Sequence, residues 1–451
     1  MKYVDCLDDW SILTSSTKDK NIVILPTFVN HEIHYIRNKP SLLFIRDIDE
    51  HQDFVVGLGH PDLFKLPTDK LSELQPKEIW TTDQKRLLSV IDNNNINDVS
   101  MLYYLLKNNV PEWILDVPVH LYYQRKFSST PDINNIIPAT KHIELHQTNA
   151  EKISQILGNF NKPEALLSYR LFLYSIYELE SQGIKVNPSL LQSFYSDKIK
   201  PHISSDGYVY SEYNFYTSAG RPSNRYGTIN FAAIDKKTGV RKAFIPRHDN
   251  FLLFDFDSFH LNLIAKFIGY KFDTDNIHAY LGQYYFGKEE LSDEEYEESK
   301  VLNFQYLYGG IPKEIKEAIP YFEQVQKFTY DMWRKINKVG YYESPLTKRR
   351  IRLKQIEKPN PMKVLNYFIQ LMETETNMII IKRLQEFLQR KKTKLVLYTY
   401  DSFLFDYAKE DGKECILGIK KILDVFPTKA YFGTNYQNLV DVTATLSTKT
   451  K

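Results

Sequence analysis

Apolar and polar positions along the chain switch between two periods, and the switches mark its elements. In FLLFDFDSFHLNLIAKFIG, residues 251 to 269, an apolar run leads into Asp255, Asp257 follows, and Phe259, Leu263, Ile264, Phe267 and Ile268 then recur at helical spacing. The pattern predicts a buried strand that yields to a helix at a carboxylate, a place where an acid can also serve simply as a helix cap. Before residue 130, apolar runs such as NIVILPTF, SLLFIRDI and DFVVGLG alternate with Pro and Gly, and helical patterns surround RLLSVI and VSMLYYLL, which predicts a small α/β unit. The polar, proline-bearing FSSTPDINNIIPATK at 127 to 141 reads as a boundary, with a helix expected across PEALLSYRLFLYSIYELESQG beyond it.

Three later segments carry polar residues at defined places in predicted elements. LSDEEYEESKVLNFQYLYGGIP, 291 to 312, reads as one helix, opened by a capping box of Ser292 and Glu295 and closed at Gly309, Gly310 and Pro312. Tyr296, Lys300, Phe304 and Tyr308 fall along one stripe of it. A long helix is expected from Pro361 to about Lys391, with Asn366 and Gln370 on one face. In KLVLYTYDSFLFDY, 394 to 407, two β-rich runs flank Asp401 and Ser402, which puts the acid at the tip of a hairpin.

Composition narrows the class. With 451 residues, 43% of them hydrophobic and 14% aromatic, the chain can bury more than one core. No stretch approaches the roughly 18 consecutive apolar residues of a membrane span. MKYVDCLDDWSIL is unlike a cleavable leader, and Cys6 and Cys415 alone make neither a disulfide framework nor a cysteine zinc site, so the expected setting is a reducing cytoplasm. Net charge is +2, but residues 1 to 130 hold 14 Lys and Arg against 18 Asp and Glu, whereas the rest hold 44 against 38. Basic clusters at KKTGVRKAFIPR, TKRRIRLK and KRLQEFLQRKKTK suit a polyanion such as nucleic acid, each being also compatible with a solvated face.

A strand-end acid, a helix lysine and a hairpin-tip acid together match two-metal phosphoryl transfer, in which two carboxylates from different strands hold a pair of divalent ions. Magnesium suits carboxylates combined with phosphate oxygens, and a lysine nearby can stabilise or protonate the leaving group. These segments resemble the motifs of the family A DNA polymerases, especially phage members: DFDSFHLNLIAKF the first palm motif, KVLNFQYLYGG the fingers motif and YTYDSFLFD the second palm motif. TSAGRPSNRYGTINFAAI, NIHAYLGQYYFG, GYYESPLTKRRIRL and NYFIQ are similar to further family stretches, in family order, from about residue 170 to 410.

The resemblance implies an α/β (α+β) right-hand polymerase with palm, fingers and short thumb behind a small α/β N-terminal domain. The implied boundaries are 1–130 for that domain, 142–215 for the thumb, 216–264 and 339–451 for the palm, and 265–338 for the fingers. The implied catalytic residues are Asp255, Asp401 and Lys300, and the implied metal positions are Asp255, Asp401 and Phe256, holding two Mg²⁺ ions for which Mn²⁺ can substitute. His278, Lys300, Phe304, Tyr308 and His260 would meet the incoming nucleotide. Arg221, Asn230, Asn366, Gln370, Arg241, Arg349 and Arg350 would contact primer and template. The implied partners are primer-template DNA and dNTPs, with a processivity factor, helicase or separate exonuclease beside a monomeric enzyme.

The chain departs from the family in four places. Tyr296, followed by Glu297 and Glu298, stands where an arginine usually grips the triphosphate, with Lys236, Lys237 or Arg241 as candidate substitutes. His260 replaces the usual sugar-discriminating Glu, and its bulk is expected to exclude a ribose 2′-OH. Tyr400 and Ser402 replace the usual His and Glu, which leaves two acids for the metals. Residues 1–130 occupy the place of a proofreading exonuclease but show only Asp5, Asp8 and Asp9 near the start, without an acid pair on an apolar strand, so an inactive domain is expected. The alternatives are a phage-type single-subunit RNA polymerase, against which His260 and the Asn303, Phe304 pair stand, and a non-catalytic nucleic-acid-binding protein with a decayed polymerase fold.

Overall fold

β-branched and aromatic runs in the first hundred residues pair as the alternation predicts. The computed structural model describes residues 1–30, 34–109 and 132–446, which fall into two compact units, Met1–Ser181 and Gln182–Lys451. In the first, strands β1 (Lys2–Tyr3), β2 (Asn21–Phe28), β3 (Pro40–Asp47), β4 (Asp53–Gly57), β5 (Glu78–Thr81) and β6 (Ile96–Asp98) form one sheet in the order β1-β4-β3-β2-β5-β6. The pairs β2/β3 and β3/β4 are antiparallel, and β5 runs parallel to both β2 and β6. Helices α1 (Leu7–Thr17), α2 (Gln84–Leu88), α3 (Val99–Lys107), α4 (Ala139–Asn159) and α5 (Ala165–Gln182), with short helical turns at Thr68–Glu73 and Ile133–Ile136, accompany the sheet. Trp10, Leu13, Ile22, Ile24, Leu43, Ile45, Phe54 and Ile79 share its core, on which Tyr174 and Tyr177 of α5 also pack.

The helix expected around RLLSVI is shorter in the structure. α2 ends at Leu88, and Ser89 to Ile91 turn back onto its carbonyls. Of the boundary segment, residues 127–131 lie outside the described residues. Just beyond them the chain is tied to the sheet, Asn134 donating through Nδ2 to the Phe28 carbonyl at 2.6 Å.

In the second unit the central sheet has the order β8-β9-β7-β10-β11, all antiparallel: β7 (Asn250–Phe256), β8 (Lys394–Thr399), β9 (Ser402–Tyr407), β10 (Thr428–Gly433) and β11 (Leu439–Asp441). β7 is central, and its Phe251, Leu252, Phe254 and Phe256 are buried, which is why it reads as a continuous apolar run rather than an alternating one. Around the sheet lie α6 (Phe259–Ile268), α7 (Ile277–Phe286), α8 (Asp293–Gly309), α9 (Pro320–Val339), α10 (Pro361–Leu388) and α11 (Gly412–Leu423). The capping box of Ser292 and Glu295 opens α8 as expected, and α6 ends at Gly269 in the left-handed conformation that favours glycine. α10 ends at Leu388, within a turn of the expected Lys391. Among the described residues no helix is long and apolar enough to cross a membrane.

Candidate active site

The two acids meet because their strands are neighbours. In the β7/β9 ladder Asp255 lies opposite Ser402, and the Phe256 N–H donates to the Asp401 carbonyl at 2.9 Å. Asp255 does not cap α6: the N-cap is Ser258, and no side-chain cap bond forms there. Asp401 sits in the two-residue turn between β8 and β9, where Tyr400 adopts φ +58°, a sparsely populated conformation for a bulky residue. Asn377 of α10 pins that turn, donating through Nδ2 to the Tyr400 carbonyl at 2.6 Å and to the Tyr398 hydroxyl at 3.1 Å.

The electrostatics are those of two carboxylates on adjoining backbone. Burial and then repulsion from Asp401 push the Asp255 carboxyl up to about 7. The protein packed around the Asp401 carboxyl strips it of water and Glu373 repels it, so it too lies above the ordinary range. Neither acid forms an ion pair among the described residues, whereas Asp257, two positions along, pairs with Lys429 Nζ at 2.9 Å. No group of three or more His, Cys, Asp or Glu side chains among the described residues is placed to hold a metal. Two acids with raised pKa values, with phosphate oxygens to complete the shell, nonetheless suit a hard divalent cation. The Phe256 side chain is buried against Phe259, Phe403 and Phe426, so only the backbone at this position is open to a ligand role.

The predicted nucleotide residues gather on α6, α7 and α8. Lys300 pairs with Glu297 Oε1 at 2.5 Å and lies 4.3 Å from the centre of the Tyr296 ring. His278 is buried, and burial together with Lys300 and Lys429 lowers its pKa to about 4, so the ring is neutral at pH 7. Asn303 Nδ2 lies 2.8 Å from His278 Nδ1, which makes Nδ1 the acceptor and leaves Nε2–H as the donor. Phe304 and Tyr308 are parallel, with centroids 6.2 Å apart, and the His260 ring meets both edge-on. Tyr308 Oη and His260 Nδ1 are 2.5 Å apart.

The predicted template and primer residues divide into two groups. Arg221 Nε donates to Glu373 Oε1 at 3.0 Å, and its guanidinium lies 3.5 Å from the centre of the Tyr400 ring, in the turn that carries Asp401. Gln370 donates to Asn366 across one helical turn at 2.8 Å, on the shared face the spacing predicts. Asn230 is half-buried at the end of a short strand and makes no cap bond to the 3-10 turn after it. Arg241 is occupied by the Ile234 carbonyl and the face of Tyr436. Arg349 is 2% exposed and turned inward beside Gly220, whose φ of +80° and missing side chain leave it room. Arg350 is exposed and paired with Glu343, so of these two arginines only Arg350 presents its charge at the surface.

Two charged residues of this region escape the sequence pattern. Lys429 lies in β10 directly opposite Asp255, and its environment reaches Asp257, His278 and Tyr296. Its signal was the register of a strand whose neighbour the sequence does not announce. Glu373 is fully buried in the middle of α10 and accepts from both Arg221 and His260 Nε2. It sits seven residues after Asn366 and three after Gln370, on the same helical face, but its polar neighbours in METETN read as solvent-facing.

A family model described as DNA polymerase family A matches residues 144–430. Among solved structures the chain resembles the POL domain of Pol1 from M. smegmatis, determined in complex with DNA primer-template and dNTP. The TM-score is 0.73 at 12% sequence identity, covering 97% of this chain and 99% of that one. No curated protein sequence matches the chain.

Proposed function

The chain belongs to DNA polymerase family A, and on that premise we propose that it extends the 3′ end of a DNA primer with deoxynucleotides on a template, using the site around Asp255 and Asp401. The single observation that carries this is the placement of both acids on adjoining backbone, unpaired and with raised pKa values. Members of the family use divalent metal ions. In this reading Asp255, Asp401 and the backbone of Phe256 hold two Mg²⁺ ions, replaceable by Mn²⁺, which when bound lower the pKa of the primer hydroxyl and neutralise charge on the leaving pyrophosphate.

The chain's own residues supply the rest. Lys300 leaves Glu297 to meet the triphosphate, and the neutral His278 donates from Nε2–H to its distal oxygens. Lys429 supplies the second cation that Tyr296 cannot, a role supported by its place opposite Asp255 and its nearness to His278 and Tyr296. Phe304 and Tyr308 pack on the nascent base pair, and Arg221, Asn230, Asn366, Gln370, Arg241 and Arg350 line the primer-template side. The palm covers 216–264 and 339–451, the fingers 265–338, and the thumb lies within 142–215. The motif spellings resemble those of phage members, which supports a phage-encoded monomer in the cytoplasm of a bacterial host, working with a processivity factor, a helicase or a separate exonuclease.

Primer extension with labelled primer-template, dNTPs and Mg²⁺ tests the reading. Wild type extends, Asp255→Ala and Asp401→Ala do not, and a protein that binds primed DNA but never extends it with Mg²⁺ or Mn²⁺ refutes it. In the same assay Lys429→Ala raises the dNTP KM by about tenfold, the loss of a charge-assisted contact of about 1.4 kcal/mol. An unchanged KM removes Lys429 from the nucleotide site.

A further inference from the structure

We infer that Glu373 is the positioning residue of the sugar gate: a buried carboxylate that fixes the His260 ring against Tyr308 and thereby sets discrimination between deoxyribose and ribose nucleotides. The inference rests on the polymerase reading above.

A histidine is a poor gate by itself. Its ring turns about two side-chain bonds, and a flat ring obstructs a 2′-hydroxyl only while it is held in one plane. Two hydrogen bonds hold this one, at opposite nitrogens. Nε2 lies 2.7 Å from Glu373 Oε2 and Nδ1 lies 2.5 Å from Tyr308 Oη. Because a carboxylate oxygen accepts, Nε2 carries the proton toward Glu373, and Nδ1 is left to take the Tyr308 hydroxyl. The tautomer and the ring plane are therefore set from the α10 side, and the tyrosine of α8 is received in a defined direction.

Glu373 is fitted for this. It is 0% exposed, and a buried charge is retained only where partners satisfy it. Its other oxygen accepts from Arg221 Nε at 3.0 Å, and Arg221 lies against the ring of Tyr400 in the turn that bears Asp401. One carboxylate thus ties α10 to the gate at the start of α6, to the tip of α8 and to the turn of the second metal acid. Removing Glu373 takes away the carboxylate that fixes the His260 N–H and frees the ring to rotate.

The test is single-nucleotide insertion by the full chain with dNTP and with the matching rNTP, for wild type, Glu373→Ala, Glu373→Gln, His260→Ala and the double variant Glu373→Ala/His260→Ala. Thermal melting of each variant accompanies the kinetics. Glu373→Ala is expected to lower the dNTP-to-rNTP ratio of kcat/KM by at least tenfold, chiefly through a lower KM for rNTP. Glu373→Gln, which keeps the volume and one acceptor, falls between it and wild type. The double variant discriminates no worse than His260→Ala, because both changes act through one ring. Overturning results are a Glu373→Ala or Glu373→Gln enzyme that loses dNTP and rNTP efficiency in equal proportion, or a double variant in which the two losses add. If wild type fails to insert dNTP at all, the polymerase reading falls and this inference with it. If wild type inserts and the ratio of every Glu373 variant matches it, the inference alone falls.

Discussion

A carboxyl group held near neutrality stores unfavourable free energy, and Asp255 is the group that does so here. Its acid form is favoured in the fold, because burial and the facing Asp401 raise its pKa to about 7 from the ordinary value of about 3.9. As pH rises from about 4 to about 7 the folded state releases its proton less readily than the unfolded chain, so this group withdraws stability throughout that window. Metal-free Asp255→Asn protein should therefore be inactive yet more stable than wild type at pH 8, by on the order of 1–3 kcal/mol, with the gap closing toward pH 4. Denaturant titrations across pH would reveal it, and an Asn variant weaker than wild type at pH 8 would count against the electrostatics described. The acids, the lysine and the aromatics of the site were legible through the resemblance of their segments to family motifs, the pattern itself placing only Asp255 at a change from strand to helix, Asp401 at a turn, and Lys300 and Tyr308 on a helical stripe. Lys429 and Glu373 were not, for different reasons. The position of Lys429 depends on which strand lies next to β7, a long-range choice, while Glu373 stands in METETN, whose polarity suggests solvent although the structure buries it completely.

Elements matter here through what they hold still. The turn that carries Asp401 bends through Tyr400 at φ +58°, and a conformation of that kind persists only where its surroundings enforce it. Asn377 is the chief such restraint, bonded to the Tyr400 carbonyl and the Tyr398 hydroxyl from the interior of α10. Asn377→Ala should cost about 1–3 kcal/mol in stability, the penalty of unpaired buried groups, and should lower kcat for dNTP insertion more than it raises KM, since in the proposed reading the displaced acid acts at the reacting end of the nucleotide. Stopped-flow insertion kinetics would separate the two constants, and a pure KM effect would place the turn outside the chemical step. The hairpin, the capped α8 and the long α10 all arise from local pattern. The predicted helix around RLLSVI was overextended, because its apolar residues serve a sheet core through one short turn of helix.

At the scale of the whole molecule, each unit holds an acid pushed up to about 7 by burial and a second acid, Asp98 beside Asp83 in the first and Asp255 beside Asp401 in the second. In the first, Asp98 accepts from the backbone N–H groups of Gln84 and Met101 at the start of two helices, and three other carboxylates near the sheet are matched to bases: Asp47 to Lys20 at 2.8 Å, Asp53 to Arg46 at 2.5 Å, Glu180 to Lys85 at 2.7 Å. A carboxylate held by a base must give up that partner before it can ligate a metal, and Asp98 is engaged by backbone N–H groups, so a mismatched primer 3′ end should survive incubation with wild-type protein and Mg²⁺ in the absence of dNTPs. Excision of the mismatch, abolished by Asp47→Asn or Asp53→Asn and retained in Asp255→Ala, would show a second active centre in the first unit. The α/β character of that unit was legible from its alternating runs, but its lack of an acid pair on β2 was the more telling feature, since the sequence NIVILPTF leaves no place for one. In the second unit the unmatched acids differ in their support: β7 is bonded along both flanks, whereas the residue after Tyr400 hangs from a bend. In the proposed reading, a metal held by Asp255 and Asp401 would meet a firm strand on one side and a more yielding turn on the other. Cations of unequal radius are then accommodated by the hairpin tip alone, and the choice of metal should be felt first in amide exchange at 400–402, with the strand silent.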